Sequence, residues 1–262
     1  MDLLDLAIYT LPPYVVAIFA FGVAYRVSRY IFMHKRAPVK RRPRPAPKLL
    51  IGLVKTFVDP LILGARLRKS DFISGLILLH ILGVIPVIFL LGQHVAMFSY
   101  WFPPYSVLRP LSIPSSATSP ALTLTAPVKP VSEMSWTYVE SVWGPLTIVL
   151  NGDLLAILAM LGVMYKLGDK LWRAYRKIIH VRLGDFTALL LLLAILVTGF
   201  FATHHLPSGD VPTYRFVLGM HILLAEILVA ALPFTKFWHF VFGYWYGKLH
   251  EWYDLKYRRG AL

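Results

Sequence analysis

The 262-residue chain has no cysteine, and charged residues make up only 15% of it. The first absence excludes disulfides, thiolate-held iron–sulfur clusters and thioether-attached haem within this chain. Any iron–sulfur cluster the protein works with must sit on a partner. The scarcity of charge, beside 57% hydrophobic residues and a mean hydropathy of +0.63, excludes an ordinary soluble domain and leaves a polytopic membrane protein. Acids are scarcer than bases, 13 Asp and Glu against 27 Lys and Arg, for a net charge of +14. The bases gather in loops between apolar runs and do not interleave with aromatics on a polar surface. The imbalance therefore reads as membrane topology and not as nucleic-acid binding. A basic leader and a small-residue cleavage site are also missing, with Asp2 and Asp5 in their place, so the first apolar run is expected to stay as a helix.

Five runs are long and apolar enough to span: 6–33, 72–98, 143–165, 184–206 and 214–245. The expected fold is all-α, one five-transmembrane-helix bundle formed by residues 1–262. A sixth apolar run, 49–65, contains Lys55, Asp59 and Pro60, and is expected to lie at the interface or re-enter, within a basic linker at 34–71. Lys and Arg number 13 from Arg26 to Lys69, six from Lys166 to Arg182 and five from Lys236 onward; only Arg109, Lys129 and Arg215 fall between the other ends. By the positive-inside rule the N-terminus is outside, the C-terminus is cytoplasmic, and the chain is a multi-pass protein of the plasma membrane. Loop 99–142 is then extracytoplasmic, and its Pro103, Pro104, Pro114, Ser115, Ser116 and Pro120 predict an extended surface cover.

Two of these runs carry two histidines each: His80 and His94, then His221 and His239. An α-helix turns about 100° per residue, so a 14-residue step returns to within roughly 40° and an 18-residue step closes about five turns. Each pair is expected on one helix face. At about 1.5 Å per residue the separations are roughly 21 Å and 27 Å, most of the ~30 Å hydrocarbon thickness. The two helices run in opposite directions, which pairs His94 with His221 near the outer side and His80 with His239 near the inner side. Pro86 and Pro233 offer places for the helices to bend. Two imidazoles from facing helices suit the axial positions of a porphyrin iron, whereas a structural zinc would need two further protein donors. The plainer reading is neutral histidines hydrogen-bonding neighbouring helices. Four histidines in two matched pairs favour two b-type haems.

Other polar residues in apolar surroundings are candidates for quinol contact or proton movement: His204 and His205 at the end of the fourth run, and Asp153 and Glu226 within the third and fifth. Ordinary interhelical hydrogen bonds and a wetted helix end are the alternatives. Arg215 and Lys236 are candidate counter-charges for haem propionates, with snorkelling as the alternative.

The stretch from His221 through Leu232-Pro233-Phe234-Thr235-Lys236 to His239 resembles the di-haem cytochrome b family of the respiratory nitrate reductase gamma subunit. That family includes the membrane cytochromes of heterodisulfide-reductase and sulfite-reduction complexes. Leu79 to His94, and Gly184-Asp185 through Leu196-Val197-Thr198-Gly199, are similar as well. The resemblance leaves out loop 99–142, and the family's second-helix ligands lie closer together than 14 residues, which makes His205 the substitute should His94 not be a ligand. It implies quinol oxidation near an outer haem, with electrons passing through an inner haem to a cytoplasmic iron–sulfur partner and its catalytic subunit. A haem-free membrane anchor or small transporter is the alternative from another class, although no internal repeat supports a transporter.

Overall fold

In the computed structural model, the residues described are 2–36, 69–116, 141–177, 183–235 and 237–238, with isolated positions between 51 and 67 and the segments 122–124 and 136–138. Most of the interfacial run 49–65, the inner histidine His239, and Lys236 lie outside the described residues. Among the described residues the regular secondary structure is helical apart from a small antiparallel ladder, Leu122–Leu124 on Trp136–Tyr138, and one isolated bridge. Three helices are long and apolar enough to cross a membrane: Lys69–Leu90, Phe186–Thr203 and Val211–Phe234. A fourth is added if Leu3–Thr10 and Pro12–Arg29, interrupted at Leu11, form one span. These helices are compatible with a membrane protein.

The chain divides into two compact units, Met1–Leu11 with Ile73–Ala225, and Pro12–Phe72 with Glu226–Leu262. In the first unit the N-terminal segment α1 (Leu3–Asp5, widening to a π-turn over Leu6–Thr10) is capped by Asp2, whose side chain accepts from the Asp5 N–H. The helix α3 (Lys69–Leu90) is π-type from Phe72 to Val84 and α-helical from Ile85 to Leu90. Pro86 sits at the changeover from π to α winding, where its missing N–H removes one helix hydrogen bond to the preceding turn.

The helix stops at Leu91, which is extended (φ −59°, ψ 130°). Ile113 stitches the break in a parallel bridge: its N–H donates to Leu90 O (2.7 Å) and its carbonyl accepts from Gly92 N (2.9 Å). A separate helix, α4 (Gly92–Trp101), follows, then a 3-10 turn over Pro103–Leu111. His80 and His94 thus do not share one α-helix. The 100° arithmetic fails because α3 is π-wound around His80 and broken before His94.

The run 143–165 also forms differently from expectation. Its beginning is a 3-10 turn, Gly144–Ile148, and the helix α5 (Gly152–Tyr175) starts where Asn151 caps it, the side-chain oxygen accepting from Leu154 N at 3.0 Å. The shift carries Lys166, Asp169, Lys170 and Arg173 into the helix, with Arg173 bonded to Asp169 at 2.9 Å, so α5 is not among the helices apolar enough to cross by themselves. Helix α6 (Leu183–Thr203) and helix α7 (Val211–Ala231) complete the unit, α7 running past its boundary. The core joins Leu79 of α3 with Ala159 and Val163 of α5 and Leu192 and Leu196 of α6. Small residues permit this approach: a Cβ on Gly83 would fall 2.7 Å from Ala159 Cβ, and one on Gly162 3.1 Å from Leu79 Cβ.

The second unit contains α2 (Pro12–Arg36) and the 3-10 turn Leu232–Phe234. Gly22 meets Pro233 and Phe234, and Arg26 Nε donates to Pro233 O at 2.7 Å, satisfying a carbonyl left over by the ending of α7. Trp238 is buried. Helix α7 gives way to a 3-10 turn at Leu232 and to extended backbone at Thr235.

Candidate functional site

Helix α7 begins at Asp210, whose carboxylate accepts from Thr213 N at 2.9 Å. Hydrogen bonds from Ser208 and Thr213 hold that carboxyl at about 2. Three turns on, His221 faces α6. Its Nδ1 lies 3.0 Å from Ile195 O, and the Thr198 hydroxyl is 3.4 Å from the same nitrogen. A carbonyl only accepts, so Nδ1 carries the proton and Nε2 keeps its lone pair. Gly199 makes the room: a Cβ there would sit 2.8 Å from His221 Cε1.

His94, in the first turn of α4, has the same arrangement. Its Nδ1 is 2.7 Å from Val87 O, a carbonyl on the far side of the Leu91 break. The His94 and His221 rings lie 6.0 Å apart, centroid to centroid, and 5° from parallel. A metal about 2 Å from a nitrogen of each ring would place the two centroids roughly 6 Å apart. Metal-bound histidines donate their second nitrogen to a carbonyl or carboxylate, and both rings here do so. Among the described residues no group of three or more His, Cys, Asp or Glu converges to hold a metal ion. Two imidazoles are fewer protein donors than a structural zinc site takes.

The other sequence candidates are placed separately. His80 Nδ1 is 2.5 Å from Gly75 O, five residues back in its own π-wound helix. His204 Nε2 and Asp153 Oδ1 are 2.8 Å apart, tying the end of α6 to the start of α5. His205 has a left-handed backbone (φ 53°) and lies against Tyr214 at 4.7 Å, so the ring opposite His221 is that of His94 and not of His205. Arg215 binds Asp2 at 2.5 Å and Asp5 at 2.7 Å. Its hydrogen bond is the main reason that the Asp2 carboxyl is lowered to about 2. The Arg215 guanidinium is thus paired with two carboxylates of its own chain. Glu226 is 9% exposed, and neither carboxyl oxygen has a hydrogen-bond partner.

Sequence reasoning passed over Gln93, Ser112 and the steric role of Gly199, and counted Arg109 only as a charge. Nothing local marks Ser112, whose burial depends on the return of the chain to the break. Comparison of the chain with protein-family models, with curated proteins and with solved structures finds no match.

Proposed function

We propose that this protein is a di-haem b-type membrane subunit of a respiratory oxidoreductase. It exchanges electrons between the quinone pool and a partner carrying iron–sulfur and catalytic subunits. In this reading the chain crosses the plasma membrane five times, N-terminus outside and C-terminus cytoplasmic. His94 and His221 hold the outer haem, and His80 and His239 hold the inner one. The observation that carries the proposal is the His94–His221 pair: near-parallel rings 6.0 Å apart, each with Nδ1 tied to a backbone carbonyl.

The chain's own residues do three things here. Val87 O and Ile195 O fix the tautomer and the ring orientation, so Nε2 would be the ligating atom of both histidines. Gly199 leaves space for the His221 ring. The apolar helix surfaces keep the pair away from bulk water. When bound, the haem supplies one-electron redox chemistry, and the protein sets its position and surroundings. His204 with Asp153, half-exposed and hydrogen-bonded, is the proposed place where protons are passed when quinol is oxidised.

A pyridine haemochrome spectrum of protein purified after native expression tests the reading. About two b haems per chain are expected. Protein that carries none would leave the haem-free anchor or proton-relay alternative in its place.

A further inference from the structure

The C-terminal end of helix α5 carries a surface that neither the core nor the histidine pair uses. Leu161, Met164, Leu171, Trp172 and Tyr175 are all exposed, and their helical spacing puts them on one face. The other face, with Ala159 and Val163, is the one packed in the core. Trp172 lies about 30 Å along the helix from Gly152, one hydrocarbon thickness. At 54% and 79% exposure, Trp172 and Tyr175 are amphipathic rings standing where acyl chains give way to headgroups.

Around these rings the charge is mostly of one sign. From Lys166 to Lys177 the chain has five cations, and Asp169 is the single acid. Asp169 is bonded to Arg173 at 2.9 Å, and Lys166 lies along Gly75 of α3, where an added Cβ would fall 3.0 Å from its Cε. Among the described residues no carboxylate pairs with Lys170, Arg176 or Lys177. The helix end itself needs little of this charge. Its dipole amounts to roughly half a negative charge, and backbone closes the last turn, Arg176 N–H donating to Trp172 O at 2.9 Å and Lys177 N–H to Ala174 O at 3.0 Å. The Arg176 guanidinium lies 4.6 Å over the Trp172 ring, and a stacked guanidinium still presents its N–H groups in its own plane.

We propose that this end of α5 binds the headgroup phosphate of an anionic phospholipid, with Arg176 and Lys177 on the phosphate and the Trp172 and Tyr175 rings among the upper acyl chains. Charge complementarity calls for an anion. The exposed rings at interfacial depth select lipid over an acidic protein face. The inference rests on the reading that the chain crosses the membrane and is independent of the haem.

Quenching of tryptophan fluorescence tests it on the full chain in phosphatidylcholine vesicles containing either brominated phosphatidylglycerol or brominated phosphatidylcholine. Subtracting the signal of Trp172→Phe isolates Trp172. Phosphatidylglycerol should be preferred there roughly fivefold, the worth of about one cation near an anionic surface, and by about twofold or less in Arg176→Gln/Lys177→Gln. If the double variant does not accumulate, Lys177→Gln alone decides by a smaller drop. Equal quenching by the two lipids in the native sequence, or a preference untouched by these variants, overturns the inference and leaves the cations to topology or an acidic protein. So does a preference abolished by inorganic phosphate but not by sodium chloride of equal ionic strength, which would assign the cations to a free anion. Failure of the membrane reading looks different: neither brominated lipid would then quench Trp172.

Discussion

His80 and His94 occupy the same apolar run and are held in opposite ways. His80 sits inside a continuous π-wound helix, with its Nδ1 on Gly75 O of that helix. His94 opens a new helix, with its Nδ1 on Val87 O from the preceding one. The His80 ring is tied to a carbonyl of its own helix, whereas the His94 ring lies at the junction of two helices, beside the Leu91–Ile113 bridge and the facing His221. Spacing along a sequence becomes a shared face only along one unbroken helix of constant type, and between these two residues the winding changes once and the helix breaks once.

The comparison can be broken most severely at the ligands. His94→Ala and His221→Ala should each take one haem from the chain, halving the pyridine haemochrome signal, and a full signal from either variant would refute the pairing. Gly199→Ala comes next. Its Cβ would meet the His221 ring at 2.8 Å, so partial loss or spectral disturbance of the outer haem is expected, with an overpacking cost of about 1–3 kcal/mol. Gly168→Ala, with nothing within 4 Å of the added Cβ, should leave the spectrum unchanged and the helix stabler by roughly 0.5–1 kcal/mol. Gly83→Ala tests the region of His80. Its Cβ would fall 2.7 Å from both Ala159 Cβ and Leu78 O, so thermal unfolding should move to lower temperature by an amount set by a similar overpacking cost.

The smallest effect concerns the N-terminal segment. Asp2 has its carboxyl lowered from 3.8 to about 2 by Arg215. A depressed folded-state value stabilises above the unfolded value and is lost as pH falls through the folded one. Proteolysis with an acid-active protease should therefore cut the segment faster as pH drops from about 4 to about 2. Asp2→Asn should remove that dependence.

The helical class was readable from the apolar runs, and 184–206 and the start of 214–245 correspond closely to α6 and α7. His221 and His94 were readable as a facing pair. The Leu91 break was not, because Leu91 carries no turn chemistry; the cause lies at Ile113, 22 residues away. The start of α5 was legible in principle, since Asn151 is a good capping residue, but the hydrophobicity of residues 143–150 masked it. Arg215 was assigned to a cofactor because its partners, Asp2 and Asp5, lie more than 200 residues earlier, a distance that no local pattern spans. The inner pairing of His80 with His239 lies outside the described residues at its second member.

The bridge at Leu91 also imposes an order on biosynthesis. A ribosome adds residues from the N-terminus, so the strand partner of Leu91 does not exist until Ile113 has been made, and the bonds from Gly152 N to Pro114 O and from Asp153 N to Ser115 O wait longer still. The helix carrying His94 cannot settle as it emerges. Its final hydrogen bonds wait until residues 113–115 and 152–153 have been made.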